Sequence, residues 1–172
     1  MILDKTMILK EITKGELKIT PFERQNVGEC SVDLTLSNEF RVFKKKKKHL
    51  KITEKPFLWE EQTKKIVLKR GELLVLKPNA LVLGLTGEKI KMPPYLCGWL
   101  QGRSRLARMG LLVHVSSSLI QPGVENRQVL EIANLSPSKI ALKPGLKICQ
   151  VIFEQITGRQ KHAGVFARQT RI

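Results

Sequence analysis

The apolar positions change period early in the chain. Between residues 4 and 14, Ile8, Leu9 and Ile12 fall on one face of a 3.6-residue repeat, Asp4 stands where a helix N-cap is favoured, and Gly15 follows the last periodic position. That spacing predicts one short amphipathic helix. Afterwards the pattern is one of brief apolar runs, and 17–19, 31–36, 40–43, 66–68, 73–76 and 81–85 read as strands. The breaks between runs carry turn chemistry: Lys69-Arg70-Gly71-Glu72, Lys77-Pro78-Asn79, Met92-Pro93-Pro94 and Lys143-Pro144-Gly145. Many short strands at this spacing predict a mainly β fold, a barrel or a sandwich. Residues 44–65 are polar and irregular and read as a long surface insertion, with Phe57, Leu58 and Trp59 expected to pack back onto the body.

At 172 residues the chain is long enough for one domain with a real core, so 1–172 is read as a single unit, with 158–172 a short basic tail of the kind that stays mobile until it meets a partner. Charge begins at Asp4, and no apolar run approaches the ~20 residues that span a bilayer, so neither export nor membrane insertion is expected. Cys30, Cys97 and Cys149 are odd in number and far apart in apolar surroundings; they read as buried thiols in a reducing cytoplasm. The formal charge of +16 favours polyanionic company without choosing among nucleic acid, membrane surface and nucleotide phosphates. Much of the excess lies in the lysine run from Lys44 to Lys48, read as a solvated hairpin tip more readily than as a nucleic-acid footprint, because few aromatic residues are present to stack bases.

Two central segments carry candidate chemistry. Gly102-Arg103-Ser104-Arg105-Leu106-Ala107-Arg108-Met109-Gly110 places a hydroxyl and three guanidinium groups between glycines, which suits a phosphate cradle and equally a solvated basic turn. Val113-His114-Val115 then leads through Ser116, Ser117 and Ser118 into Ile120-Gln121-Pro122-Gly123, a polar loop between apolar runs; His114 itself reads as a structural strand residue. In Val129-Leu130-Glu131-Ile132-Ala133-Asn134, strand alternation puts Glu131 on the face opposite Leu130 and Ile132. A carboxylate enclosed on that face suits a general acid/base, while the bland alternative is a structural glutamate paired with Arg108 or Arg103.

These segments, with Gly98 to Gln101 before them, Leu142-Lys143-Pro144-Gly145-Leu146-Lys147-Ile148-Cys149-Gln150 after them and Ser31-Val32-Asp33-Leu34-Thr35-Leu36 near the start, closely resemble the dCTP deaminases of the dCTP deaminase/dUTPase superfamily. The resemblance runs in order over nearly the whole chain up to Gly158. It implies a distorted β-barrel or jelly-roll-like, dUTPase-type protomer in a homotrimer with interfacial active sites, and Mg²⁺ accompanying the triphosphate. It implies dCTP as substrate, dUTP as product and dTTP as a candidate inhibitor, with no membrane or nucleic-acid partner. By the same resemblance Glu131 activates water for attack on C4 of cytosine, supported by Ser104 and Arg108. Arg103, Ser104, Arg105, Val115, Ser117, Gln121, Gln150, Phe166 and Gln169 fall at substrate-binding positions. Zinc-dependent deaminases need a His-x-Glu and a Cys-x-x-Cys, which His49, His114, His162 and the three cysteines do not supply, so no zinc is expected.

Three departures bear on function. Family members usually carry Ile-Asp-Pro-Gly where this chain has Ile120-Gln121-Pro122-Gly123, and the neutral amide disfavours triphosphate cleavage, so release of dUTP is expected over dUMP. Ser117 and Ser118 replace the small pair common in the base-reading loop. In the tail, Phe166 and Gln169 line up with the family's aromatic and glutamine, but Val165 falls where a lysine belongs, leaving Arg168 or Lys161 as the candidate phosphate partner. The alternatives are a dUTPase or bifunctional relative, and a binding protein that has lost catalysis.

Overall fold

The opening helix forms where Asp4 can cap it: the Asp4 carboxylate accepts the Met7 N–H at 2.8 Å, α1 runs Lys5–Thr13, and Gly15 takes a left-handed φ of 73° beyond its end. Its buried face carries Ile8 and, less expectedly, Glu11. The computed structural model describes residues 1–44, 49, 59–164 and 166–172. Most of the lysine run, together with Phe57, Leu58 and the side chain of Trp59, lies outside the described residues.

Short strands follow, as the pattern predicts: β1 (Lys18–Thr20), β2 (Val32–Phe43), β3 (Thr63–Val67), β4 (Leu74–Leu76), β5 (Leu81–Lys91), β6 (Leu96–Gly102), β7 (Leu111–Val113), β8 (Leu119–Ile120), β9 (Glu125–Asn134), β10 (Ile140–Leu142) and β11 (Lys147–Gln155). A nine-stranded sheet in the order β7-β9-β5-β2-β11-β6-β8, with β1 added on β5 and β3 on β2, forms the body, and β4 pairs with β10 separately. Every pairing is antiparallel. The interior is filled by alternate residues of the long strands, among them Leu34, Phe40, Leu130, Ile132, Val151 and Phe153, all essentially without solvent contact. No helix among the described residues is long and apolar enough to cross a membrane.

Several elements differ from the reading of the sequence for identifiable reasons. Runs 31–36 and 40–43 belong to one strand, β2, whose partner register on β5 shifts between Leu36 and Phe40. The break in alternation is thus an irregularity within a strand and not a turn. Strand β5 continues six residues past Leu85 because its second irregularity, Thr86-Gly87-Glu88, lets Glu88 turn inward, where its carboxylate accepts the Thr35 N–H at 2.8 Å and hydroxyl at 2.7 Å. Trp59–Gln62 form a helical turn, α2, and residues 63–65 belong to β3, so the insertion is shorter than expected. Cys97 and Cys149 are buried free thiols, whereas Cys30 is exposed, because the Gly28 N–H bonds to Ser31 O and holds Cys30 at the tip of a turn.

The buried Glu11 is a weak point that can be tested. Burial opposes its ionisation, but the Tyr95 hydroxyl donates to it at 2.5 Å and Lys14 pairs with it at 2.9 Å, and together these hold its carboxyl below the usual range. Burial and that same carboxylate push Tyr95 up to about 12. Because the folded-state value is depressed, the contribution of Glu11 to stability is present above the unfolded carboxyl pKa and is lost as pH falls through the folded one. Tyr95→Phe removes a donor from a buried carboxylate and is expected to destabilise the protein by about 1–3 kcal/mol at neutral pH. The loss should shrink in acid, and chemical denaturation at neutral pH and near pH 3 measures both.

Candidate functional site

Glu131 sits on β9 opposite Leu83 of β5, on the sheet face away from Leu130 and Ile132, as alternation requires. The chain crosses its carboxylate because β7 is short. After Val113 the backbone turns at His114, which holds a left-handed φ of 62°, an uncommon conformation for a residue with a side chain. The His114 N–H donates to the Glu131 carbonyl at 2.8 Å, and the Val115 N–H donates to Glu131 Oε2 at 3.1 Å.

His114 is therefore not the structural strand residue that its apolar neighbours suggest. Its side chain is only 4% exposed, and Nδ1 lies 3.5 Å from Glu131 Oε2 without an ideal hydrogen bond, while Nε2 approaches the Ser117 carbonyl. A carbonyl can only accept, so Nε2 carries the hydrogen. Nδ1 then faces the Glu131 carboxylate.

A cavity of about 410 Å³ opens beside this pair, within the range of small-molecule sites. Its apolar walls come from Leu83, Leu119, Ile120, Val124 and Val129, and its polar groups from His114, Ser117, Gln121, Asn126, Arg127, Gln128, Glu131, His162 and Gln169, with Phe166 at the rim. Glu131 is the one carboxylate among these lining residues. At the level of the β5 irregularity the Gln128 N–H donates to Thr86 Oγ1, and Arg127 Nε donates to Thr86 O at 2.7 Å. The outer edge of β9 is also only partly used, since β7 pairs just with Ile132 to Asn134. The tail fills part of the remainder, with Ala167 O accepting from Glu125 N and Gln169 O from Arg127 N, each at 2.8 Å. By strand alternation the Val129 N–H and C=O point to the same edge, between these contacts and His114, and present a donor and an acceptor toward the cavity.

The expected site residues divide into two groups. Glu131, Ser117, Gln121, Phe166 and Gln169 meet at the cavity, and Val115 contributes its N–H to Glu131 from an exposed position. Arg103, Ser104, Arg105 and Arg108 do not line it. They belong to a one-turn helix, α3 (Ser104–Ala107), and its flanks, where Gly110 at φ 79° packs against Ser136 and turns the chain into β7. Ser104, Arg105 and Arg108 are exposed there, while Arg103 pairs with Asp33 at 3.3 Å beside Lys147. Gln150 accepts from the Ser31 hydroxyl on β11 and is also outside the cavity lining. The ion pair between Glu131 and Arg108 or Arg103, the bland alternative, does not form within the chain; the Glu131 carboxylate meets His114 and the Val115 N–H instead.

Sequence reasoning missed His114, His162, Asn126, Arg127 and Gln128 as lining residues. Of these, Arg127 is already engaged, its Nη1 lying 3.2 Å from Glu39, a carboxyl held below the usual range by Lys65 and by Arg127 itself. The described cavity thus combines a carboxylate, an adjoining imidazole and apolar walls, with no cluster of free cations for a polyphosphate among its lining residues.

A family model described as dCTP deaminase-like matches residues 2–156. The chain belongs to the dCTP deaminase-like family. It is 37% identical over 163 residues to a protein of Mycolicibacterium vanbaalenii named dCTP deaminase, dUMP-forming, covering 94% of this chain and 84% of that one. It is 34% identical over 178 residues to a Thermomicrobium roseum protein named dCTP deaminase, covering 98% and 90%. The crystal structure of the 2'-deoxycytidine 5'-triphosphate deaminase from Agrobacterium tumefaciens superposes with a TM-score of 0.69 at 16% identity, over 90% of this chain and 48% of that one. The fold is therefore the family's, and in this dCTP deaminase-like chain the cavity edge is built by β9, the 114–123 loop and the tail.

Proposed function

We propose that the protein deaminates dCTP in the cytoplasm, acting as a homotrimer whose active sites are completed across subunit boundaries. The observation that carries this reading is the half-buried Glu131 carboxylate, 26% exposed, held by Val115 N–H and facing His114 at the edge of a cavity sized for a nucleoside. In the proposed step Glu131 takes a proton from water as the water oxygen bonds to C4 of cytosine, giving a tetrahedral carbon. That proton passes to the ring nitrogen and stays there; Glu131 then takes the proton of the new C4 hydroxyl and gives it to the amino group, the C4–N bond breaks as C4=O forms, and dCTP and water become dUTP and ammonia. Val115 N–H steadies one carboxylate oxygen, and the Val129 backbone offers a donor and an acceptor to the base edge.

A second copy supplies what one chain lacks in this reading. Leu112, Ala133 and Leu81 form a row across β7, β9 and β5, one step along the sheet face from Glu131 and Leu83, and Met109, Val115 and Leu135 add exposed apolar surface nearby. A neighbour seated there is proposed to bring its exposed Ser104 and Arg108 to Glu131, with its Arg103 and Arg105 toward the phosphates. Mg²⁺ is proposed to arrive on the triphosphate: one carboxylate lining a cavity suits a cation carried by phosphate oxygens. It would neutralise charge on the phosphates, while the protein's own groups handle the base.

The product distinguishes relatives with the dUMP-forming name from those without it. Gln121 lines the cavity where an acceptor for a water proton would be needed, which supports dUTP as the product. Incubation with dCTP should release ammonia and accumulate dUTP with little pyrophosphate, in the presence of Mg²⁺. Zinc-selective chelation should leave the rate unchanged. Pyrophosphate equal to ammonia would assign the dUMP-forming reaction instead, and pyrophosphate from dUTP without ammonia from dCTP would make the protein a dUTPase.

A further inference from the structure

Where β5 ends and β1 and β9 begin, the sheet carries a cationic surface that the chemistry at Glu131 does not use. Lys18 of β1 stands directly opposite Lys91 of β5, and Thr20 opposite Lys89. Across the next pairing Lys91 faces Glu125 of β9. The alternate residues Ile19 and Ile90 are buried, so Lys18, Lys89 and Lys91 all project from the outer face. The tail adds to the same place: Ala167 O accepts the Glu125 N–H at 2.8 Å, which brings the exposed Arg168 beside it, and Lys161 lies against Gly123, two residues before Glu125.

Charge here is unbalanced. Glu125 is the one carboxylate in these pairings, and Lys89 Nζ already meets it at 2.8 Å; that bond, with Lys91 and Arg168 nearby, holds its carboxyl below the usual range. Lys18, Lys91, Lys161 and Arg168 make no ion pair with another described residue. Like charges set directly opposite on neighbouring strands weaken a sheet, so the pairing of Lys18 with Lys91 does not serve the fold. Lys89 and Lys91 stand about 7 Å apart along the strand, a step that suits successive phosphates of an extended chain. The outward positions are lysines and Thr20, too polar to enter a bilayer. Phe22, 37% exposed, follows β1 and offers a ring on which a base can stack. We infer that this edge is an interaction surface for single-stranded nucleic acid, held through its phosphates by Lys18, Lys91 and Arg168 without regard to sequence. It gives a use to part of the +16 charge that one nucleotide site leaves over, and it reverses the expectation that nucleic acid is not a partner. The surface needs neither Glu131 nor the cavity, so it stands or falls separately from the deaminase reading.

Fluorescence anisotropy of a fluorescein-labelled oligothymidylate, titrated with the full-length protein at several salt concentrations, tests this. The wild-type protein is expected to bind at low salt, with log K falling linearly against log salt. Lys18→Gln/Lys91→Gln should reduce the magnitude of that slope by about 1.4, two contacts at about 0.7 each for a single strand, and weaken binding by about fivefold or more at low salt. Its melting temperature should equal or exceed that of the wild type, since a like-charge pair is removed, and its ammonia release from dCTP should be unchanged. The control Lys77→Gln/Lys143→Gln removes the same charge from exposed positions just beyond β4 and β10 and should keep the wild-type slope. Equal losses in the two double variants would report net charge alone, and no loss in Lys18→Gln/Lys91→Gln would place the contact elsewhere; either result overturns the inference. It is also overturned if the protein binds phosphatidylserine vesicles but not the oligonucleotide, which would make the surface a membrane contact, or if dCTP near its KM displaces the oligonucleotide, which would assign these lysines to the nucleotide site.

Discussion

Glu131→Gln is expected to lower ammonia release from dCTP by about 10³-fold, the scale of a positioned acid/base group, while leaving nucleotide binding and assembly close to wild type. The substitution keeps the size and shape of the side chain. Its amide oxygen still accepts the Val115 N–H that now meets Glu131 Oε2 at 3.1 Å, so the 114–118 loop keeps its anchor. What disappears is the ability to take a proton from water and return it to the ring and the leaving amine. Single-turnover ammonia release and calorimetric titration with dCTP measure the two properties separately. A rate within a few-fold of wild type would remove Glu131 from the chemistry. A parallel loss of binding and assembly would make it a structural residue that anchors the His114 turn.

Much of this arrangement was legible because it depends on local pattern. The Asp4 cap and the Ile8 face specify α1, and alternation in 129–134 puts Glu131 on the opposite side from Leu130 and Ile132. The position of His114 was not legible for a physical reason: Val-His-Val has the alternation of a strand, and the turn that ends β7 depends on a left-handed φ that no glycine or asparagine announces. A cue was present in the three serines that follow, since a strand continuing into Ser116-Ser117-Ser118 has little to bury. The docking of the tail was hidden differently. Its hold on β9 runs through backbone groups of Ala167 and Gln169 and the Phe166 carbonyl, which carry no signature in side-chain type. Asn126 and Gln128 went unremarked, because the bonds that join them to each other and to the Phe166 carbonyl leave no signature in the sequence. The Arg103 to Arg108 segment was legible as a basic motif but not as a location, since within one chain α3 and its flanks lie outside the cavity that Glu131 lines.

That separation makes a prediction about mixtures. Arg108→Ala and Glu131→Gln should each be nearly inactive as pure proteins, yet subunit exchange between them should restore turnover. Glu131 lines the cavity, whereas Arg108 is exposed beyond α3 and does not, so a site completed across a boundary draws the two residues from different copies. In a randomly mixed trimer, a site is intact when the copy supplying the carboxylate carries only the Arg108 change and its neighbour carries only the Glu131 change. With equal amounts each condition holds half the time, so about a quarter of the sites, and about a quarter of wild-type turnover, should return. Both substitutions within one chain remove the effect, because mixing that double variant with itself yields no intact site, and this supplies the control. Ammonia release is followed after co-expression of the two variants at equal levels, with the assembly checked by light scattering. No recovery in mixed trimers would place Arg108 and Glu131 in the same chain's site or leave Arg108 out of the reaction, and a monomer in solution would remove the interfacial site altogether.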